Sequence, residues 1–398
     1  MRLLHTSDWH LGRTLHAVDL LDHQSQVLDH IVEVAEQQEV DAVLVAGDVF
    51  DRAIPPVEAV RLLERTLRRL TRRATVIVTS GNHDSAIRLG YGSSLFPAGL
   101  HVVTGVDSVG TAIELADQHG PVLVYPFPYL DPDGCRRQLA DGDEPLARSH
   151  EAVCTAAMAR VSGDLERRRA AGDPAARTVV MAHAFVGAGA AEPAVTSLSE
   201  RDIRVGGVDY VPSRVFDGIH YVALGHLHGP QQPRARAGGG VLRYSGSPLR
   251  YSFSEAAQQK SVTIVDLGPD GVTDIAVVDL PQPRPMARLV GTIDDLLHDA
   301  AHGAHRDSWV QATVTDAARP QQMRERVLAR FPHLLDIRHL PGTTRIGAGE
   351  GVANPAGADP VGVAGDFVVH VTGSAITDAE LAVFRVAHEA VLAAGREA

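Results

Sequence analysis

Residues 221–228 read "YVALGHLH": an apolar run that halts at a glycine and then presents two histidines, His226 and His228, with one residue between them. In an extended segment residues two apart point to the same side, so the pair aims two imidazoles in one direction. Two partly buried, hydrogen-bonded histidines would give the same pattern, and a motif this short decides nothing alone. Four other apolar runs end in the same manner. "RLLHTSDWH" (Arg2–His10) ends in Asp8 and His10, and "DAVLVAGDVFD" (Asp41–Asp51) in Asp48 and Asp51. "TVIVTSGNHD" (Thr75–Asp84) ends in Asn82, His83 and Asp84, and "TVVMAHAF" (Thr178–Phe185) carries His183. The residue before each first polar group is small: Ser7, Gly47, Gly81, Ala182 and Gly225. Small residues permit tight turns and close backbone approach, which a crowded site needs.

These runs alternate with amphipathic helical patterns. Strands are predicted at Arg2–Thr6, Ala42–Ala46, Thr75–Thr79, Val122–Tyr125, Thr178–Ala182 and Tyr221–Leu224; helices at His23–Gln38, Val57–Arg73 and Ala147–Ala171. The alternation predicts an α/β fold. Ligands of such sheets bind just outside the carboxyl ends of the strands, so the five polar ends are expected to converge at one edge. From Val241 the pattern shifts to strands with short turns ("VLRYSGSPLRYSF", "SVTIVDLG", "DIAVVDL"), read as antiparallel structure closing a first domain over residues 1–280. The proline-rich "DLPQPRPM" (Asp279–Met286) marks the boundary. A small α+β domain follows over 281–376, with strands near Ala287–Gly291, Trp309–Thr315 and Phe367–Thr372 and helices around Ile293–His302 and Gln321–Phe331. The Gly-, Ala- and Pro-rich Gly347–Asp366 reads as a loop inside it. The last stretch, 377–398, opens with a capping-box pattern, Thr377 to Glu380, and continues as a helix with Leu381, Phe384 and Val391 as its apolar stripe.

Composition narrows the class. With 398 residues and 44% hydrophobic side chains a sizeable core is expected. The two cysteines, Cys135 and Cys154, make no disulfide framework and have no zinc-type spacing. Strand-like sequence from Arg2 onward leaves no room for a signal peptide, and no apolar run reaches membrane-span length; a cytoplasmic location is expected. The net charge of -12 speaks against a generally adhesive nucleic-acid binder but leaves room for local basic surfaces. Lys260 is the only lysine, a bias toward arginine that a GC-rich genome explains.

Carboxylate, imidazole and amide oxygen suit hard to borderline divalent ions, and no thiolate is offered. Asp8, His10, Asp48, Asn82, His183, His226 and His228 are too many groups for one ion. They suit two ions about 3.5–4 Å apart sharing a carboxylate, the arrangement that clamps a phosphate and activates water near neutral pH. His83 is left over as the acid or charge stabiliser, with Asp84 expected to fix its tautomer.

As a set, "DWH", "GDVFD", "GNHD", the lone His183 and "GHLH" resemble the calcineurin-like metallophosphoesterase superfamily, in that family's order. Within it, "HTSDWHLGR", "AGDVFDRAIPP", "SGNHDS" and "YSGSPLRYSFSE" followed by "KSVTIVDL" resemble the SbcD-type nucleases of bacterial DNA repair. The resemblance implies a metallophosphoesterase β-sandwich flanked by helices plus a small α+β capping domain that contacts DNA. It implies two manganese ions, one on Asp8, His10, Asp48 and His228, the other on Asp48, Asn82, His183 and His226, with His83 catalytic. Asp51 stands where many relatives carry a second histidine, so its expected part is to order the loop after Asp48. The implied partners are DNA, a second copy of the chain and an SbcC-like coiled-coil ATPase, in a heterotetramer. The ATPase must be another chain, because no "GxxxxGK[ST]" occurs here.

Two other functions stay open. A phosphatase or cyclic-nucleotide phosphodiesterase would carry the same metal groups, and a metal-free scaffold would have lost some of them. Arg13, Arg214, Arg243 and Arg250 are the candidate DNA contacts; the last three, with Arg234 and Arg236, face one acid, Asp217, between Pro212 and Arg250 and suggest a basic rim beside "GHLH". In Val57–Arg73 six arginines accompany an apolar stripe of Val57, Val60, Leu63, Leu67 and Leu70, which serves either the core or a dimer contact.

Overall fold

Short apolar runs without alternation bury on both faces, and the centre of the protein is built of them. The computed structural model describes residues 1–187, 196–197, 200, 210–234, 240–342, 377 and 379–385. Strands β1 (Arg2–Thr6), β2 (Ala42–Ala46), β3 (Thr75–Thr79) and β4 (Leu100–Val103) run parallel in one sheet. A second sheet holds β5 (Ile113–Asp117), β6 (Gly120–Pro126), β7 (Arg177–His183), β8 (Tyr221–Gly225) and β9 (Val241–Tyr244). The hairpin of β10 (Ser261–Gly268) and β11 (Gly271–Asp279) completes the first sheet, whose order is β11-β10-β1-β2-β3-β4; the second runs β9-β8-β7-β6-β5.

The two sheets face each other across Leu44, Ile77, Val124, Met181 and Ala223, all fully buried. Helices α1 (Leu21–Gln37) and α2 (Val57–Leu70) cover the outer face of the first sheet, and α3 (His150–Ala171) that of the second. Helix α1 does so with Val27, Leu28, Ile31, Val32 and Ala35, the spacing of one helical face. The result is the expected metallophosphoesterase sandwich flanked by helices.

One expectation fails. Val241–Tyr244 is not antiparallel: β9 pairs parallel to β8, Tyr221 opposite Val241. Of the strands between Val241 and the prolines, β10 and β11 alone pair antiparallel, with each other and, for β10, with β1. The cause is where the chain goes after the "GHLH" turn. It returns to the start of β8 before extending again, so β9 runs in the same direction as its neighbour.

Beyond the prolines, β12 (Met286–Gly291), β13 (Trp309–Val314) and β14 (Leu334–His339) form a small parallel sheet. Helices α4 (Ile293–His298) and α5 (Met323–Arg330) pack on it through Leu289, Leu296, Val310, Val327 and Phe331. The predicted helix Ile293–His302 stops at Asp299, whose carboxylate accepts the Ala301 amide and starts a separate 3-10 turn, Ala300–His305. Met286 and Trp309 reach into the core beneath α1 and α2, so this sheet and the sandwich belong to one unit, Met1–Gly342.

A second unit spans Thr343–Ala398. The predicted strand Phe367–Thr372 and loop Gly347–Asp366 lie outside the described residues. Residues 379–385 are helical, and the capping box is present: Thr377 Oγ1 accepts the Glu380 amide at 3.3 Å while Glu380 Oε2 accepts the Thr377 amide at 2.8 Å.

Candidate active site

The parallel strands β1, β2, β3, β7 and β8 end at one edge of the sandwich, where their carboxyl ends deliver polar groups. The loops after β1 and β2 are laced together: the Asp8 amide donates to the Gly47 carbonyl at 3.0 Å and the His10 amide to the Asp48 carbonyl at 2.9 Å. Asp8 (φ 55°), His10 (45°), Asp48 (49°) and His226 (109°) all sit in left-handed backbone, which costs a non-glycine residue about 1–3 kcal/mol and persists where surroundings enforce it. Two glycines make room. A Cβ on Gly225 would lie 1.8 Å from the Ala46 carbonyl oxygen, and one on Gly81 2.1 Å from Asp48 Oδ1.

The side chains converge. His10 Nε2 and His228 Nε2 are 3.1 Å apart. Asp48 Oδ2 lies 3.5 Å from His10 Nε2 and 3.4 Å from His183 Nε2, and its Oδ1 accepts the His83 amide at 2.9 Å. His183 Nε2 is 3.0 Å from Asn82 Oδ1. The His226 ring stands edge-on to that of His183, centroids 5.4 Å apart. Among the described residues, three groups are close enough to share an ion: Asp8, His10 and His228; His10, Asp48 and His83; Asp8, Asp48 and His183.

The hydrogen bonds choose the tautomers. His183 Nδ1 is 3.0 Å from the Ala46 carbonyl, which can only accept, so Nδ1 carries a proton and Nε2 is the ring atom turned toward Asp48 and Asn82. His228 Nδ1 is 3.2 Å from Glu255 Oε1, with the same consequence. Asp8 accepts the Ser7 hydroxyl at 2.5 Å and the His226 amide at 3.0 Å. Among the described residues, the buried Nδ1 atoms of His10 and His226 have no hydrogen-bond partner, which buried polar atoms rarely lack.

Burial pushes the Asp8 carboxyl up to about 6. It would raise Asp48 too, but His183, His10 and His83 overcome it and hold Asp48 well below the ordinary carboxylate range. Burial takes His226 down to about 3 and His10 well below its usual value, leaving both as neutral imidazoles, the form that ligates metal. His183 is raised to about 9: burial opposes its charge, but Asp48 and Asp8 prevail. Hard oxygen and neutral imidazole donors, an intervening carboxylate and unsatisfied buried nitrogens together fit divalent ions.

Asp84 is a correction. It does not fix the tautomer of His83. Its carboxylate accepts three main-chain amides, Val49 at 3.0 Å, Phe50 at 2.8 Å and Gly81 at 2.8 Å, and so clamps the Asp48 loop to the Asn82 loop. The His83 ring is held instead by the Asp51 carbonyl, 2.8 Å from Nδ1. Burial and the neighbouring Asp48 push the Asp84 carboxyl up to about 7. Asp84→Ala is therefore expected to destabilise the fold by about 2–4 kcal/mol, since each buried donor left without an acceptor costs about 1–3 kcal/mol. Urea denaturation measures this, and an unchanged midpoint refutes the clamp.

The basic rim is a second correction. Arg13 does sit at the site, 3.0 Å from Asp51 and stacked over Tyr251 at 5.3 Å. Arg214 pairs with Glu151 on α3 at 2.6 Å. Arg243 turns away from Leu242 and Tyr244, which face α3, and its Nε donates to Thr263 of the other sheet at 3.0 Å. Arg250 donates to the Gln258 carbonyl at 2.9 Å. Strand alternation and internal acceptors thus disperse these three, and Arg236 lies outside the described residues.

Glu255, Glu200 and the Asp51 carbonyl were missed from sequence. Glu200 accepts the His228 amide, and Glu255 accepts that residue's ring nitrogen. Carboxylates distant in sequence and main-chain oxygens leave no local motif.

Comparison with known proteins agrees with this geometry. Residues 1–230 match the family model described as calcineurin-like phosphoesterase. Residues 282–360 match an SbcD-type C-terminal domain, described as the type 5 capsule protein repressor C-terminal domain. Among solved structures, TT1561 of Thermus thermophilus is similar at 15% identity over 70% of this chain and 98% of its own, TM-score 0.38. A dimetal phosphatase from Danio rerio is similar at 12% identity over 71% and 99%, TM-score 0.42. An archaeal phosphodiesterase is similar at 10% identity over 70% and 100%, TM-score 0.28. The family match spans every strand end that delivers a candidate ligand, from Asp8 to His228, and this chain belongs to the calcineurin-like phosphoesterases.

Proposed function

We propose that the chain is the nuclease subunit of an SbcCD-type complex, hydrolysing DNA phosphodiester bonds as a double-strand exonuclease and a single-strand or hairpin endonuclease in repair, recombination and replication. The observation that carries this reading over a small-molecule phosphatase is a cleft of about 310 Å³ between Tyr251, which adjoins the candidate ligands, and the small sheet. Arg13, His16 and Tyr251 line one side, and Arg288, Gln311 and Arg338 of β12, β13 and β14 the other. Tyr251 borders His10 and His228, ring centroids 5.5 and 5.8 Å away, so one wall of the cleft is packed against the candidate ligands. A channel with arginines on both walls suits a polyanionic backbone, and guanidinium groups pair well with phosphate. The SbcD-type match falls on the segment that supplies the second wall.

In this reading Asp8, His10, Asp48 and His228 hold one manganese ion, and Asp48, Asn82, His183 and His226 the other. A divalent pair, when bound, supplies Lewis-acid polarisation of the scissile phosphate. The chain supplies orientation and a proton. With Nδ1–H held by the Asp51 carbonyl, the imidazolium form of His83 would pass its Nε2 proton to the departing oxygen. Residues 281–376 act as the capping domain and 377–398 as a docking element for the SbcC-like ATPase. The work is cytoplasmic, and among the described residues no helix is long and apolar enough to cross a membrane.

The test is labelled hairpin DNA with Mn²⁺, with and without the ATPase, against a small chromogenic phosphodiester. Hairpin cleavage supports the reading; turnover of the small ester alone at every condition refutes it in favour of a phosphatase.

The same reading makes the chain a homodimer. The predicted apolar stripe of α2 divides: Leu63, Leu67 and Leu70 are buried, whereas Val57 and Val60 are exposed. They adjoin a groove of about 630 Å³ lined by Ile54, Val60, Tyr91 and Phe96. Ile87 and Tyr91 stand 87% and 86% exposed beside it, a continuous apolar patch of the kind that marks an interface. Ile87→Glu with Tyr91→Glu should convert a dimer to a folded monomer in sedimentation analysis; an unchanged sedimenting mass refutes this face.

A further inference from the structure

In a chain where every other basic residue, histidine aside, is arginine, the one lysine is among its most deeply buried side chains. Lys260 is 0% exposed, and so is Glu255, its ion-pair partner at 2.7 Å. The Lys260 ammonium also reaches the His228 carbonyl at 2.8 Å, Ser247 Oγ at 2.9 Å and Gln258 Oε1 at 2.8 Å. Glu255 in turn accepts the Tyr251 amide at 3.1 Å through Oε2 and faces His228 Nδ1 at 3.2 Å through Oε1. Lys260 therefore grips His228 twice, at its main chain directly and at its ring through Glu255.

A buried ion pair is a poor stabiliser as such, because desolvation offsets most of its attraction; apolar replacements of similar volume are often as stable. Its presence against a candidate ligand calls for another use. The geometry also explains why arginine is absent here. Four oxygen acceptors converge on one point, which suits a compact ammonium and not a planar fork whose donors diverge. Metal-ligating imidazoles usually donate their second N–H to a carboxylate, which fixes the ring and raises its basicity.

We infer that Lys260 and Glu255 are positioning residues that lock the tautomer and orientation of His228 and so set the affinity of one of two divalent ions. This rests on the metal-centre reading of the proposed function. Lys260 anchors the Glu255 carboxylate, Glu255 holds His228 Nδ1–H, and His228 Nε2 is left directed at His10 Nε2.

The experiment is calorimetric titration of the full chain with Mn²⁺ alone, paired with urea denaturation. The proteins are wild type, Glu255→Gln, Lys260→Met, Lys260→Arg and the double variant Glu255→Gln/Lys260→Met. The single variants should weaken one of two Mn²⁺ sites by about 10–100-fold and leave the other near wild type, the usual effect of losing such a partner. Lys260→Arg should not rescue. The double variant removes both charges of the pair together, so it should be more stable than either single change, yet its weakened site should stay weak. Visible absorption of bound Co²⁺ should change in the same variants, because the His228 ring is no longer held. If Mn²⁺ affinity recovers in step with stability in the double variant, the pair is only structural and the inference falls. Wild-type affinity at both sites in a folded single variant also overturns it. Wild type that binds no Mn²⁺ would instead sink the metal-centre reading, and this inference with it.

Discussion

Asp48→Ala is expected to lose Mn²⁺ at both positions and to lower phosphodiester hydrolysis by on the order of 10³-fold. Asp48 stands in two of the three groups able to share an ion, one with His10 and one with His183. Its Oδ2 is nearly equidistant from the two imidazoles, 3.5 and 3.4 Å, as a bridging oxygen should be. Removing it would take a shared donor from both candidate sites and leave the histidines with no anion between them. Lewis-acid stabilisation of a phosphoryl transition state is worth several kcal/mol, and about 4 kcal/mol corresponds to that factor in rate. The loss should exceed that from any ligand confined to one ion, such as His226. Bound metal is counted by elemental analysis after gel filtration, and activity is followed on hairpin DNA and on a chromogenic diester. Wild-type-like cleavage by Asp48→Ala, or a full complement of two ions, would refute the bridging assignment.

Much of this site is legible in the sequence because parallel strands advertise their ends. Each run buries on both faces, so it reads as continuous apolar sequence until a small residue breaks it and ligands follow. That holds for β1, β2, β3, β7 and β8, and for the helices that cover them. Edge strands are different. Leu100–Val103 and Ile113–Asp117 are only partly buried, and their mixed side chains do not separate from loop. Leu334–His339 fails for the same reason. The direction of β9 was not legible either, since no residue in it records where the chain turns back.

The chemistry divides along a similar line. Candidate ligands that follow strands form motifs; groups that hold those side chains do not. Asp84 sits beside His83 in sequence, which makes it the expected partner, yet three main-chain amides claim its carboxylate. The atom that does hold His83 is a main-chain oxygen, which any residue at position 51 would supply. Glu255 and Lys260 lie 27 and 32 residues from His228. The one trace they left was the solitary lysine, and a compositional bias explained it away.

His83→Ala should keep two Mn²⁺ and near-wild-type affinity for DNA while turnover falls by roughly 10²–10⁴-fold, the range for losing a general acid or base. The His83 ring is edge-on to His10, centroids 4.8 Å apart, and close enough to Asp48 and His10 to be a ligand by distance alone. What separates it from the ligands is how it is held. The other site imidazoles are buried, but His83 is only partly so, and its main-chain amide, not its ring, bonds Asp48. With Nδ1 donating to the Asp51 carbonyl, Nε2 is the one ring atom left to meet a substrate. A group so placed can turn over protons with solvent between cycles, which an enclosed ligand cannot. The decisive comparison sets Mn²⁺ stoichiometry beside single-turnover rate for the same His83→Ala sample. Two ions with slow chemistry confirm the acid; a protein that has lost one ion in proportion to its activity makes His83 a ligand and removes it from proton transfer.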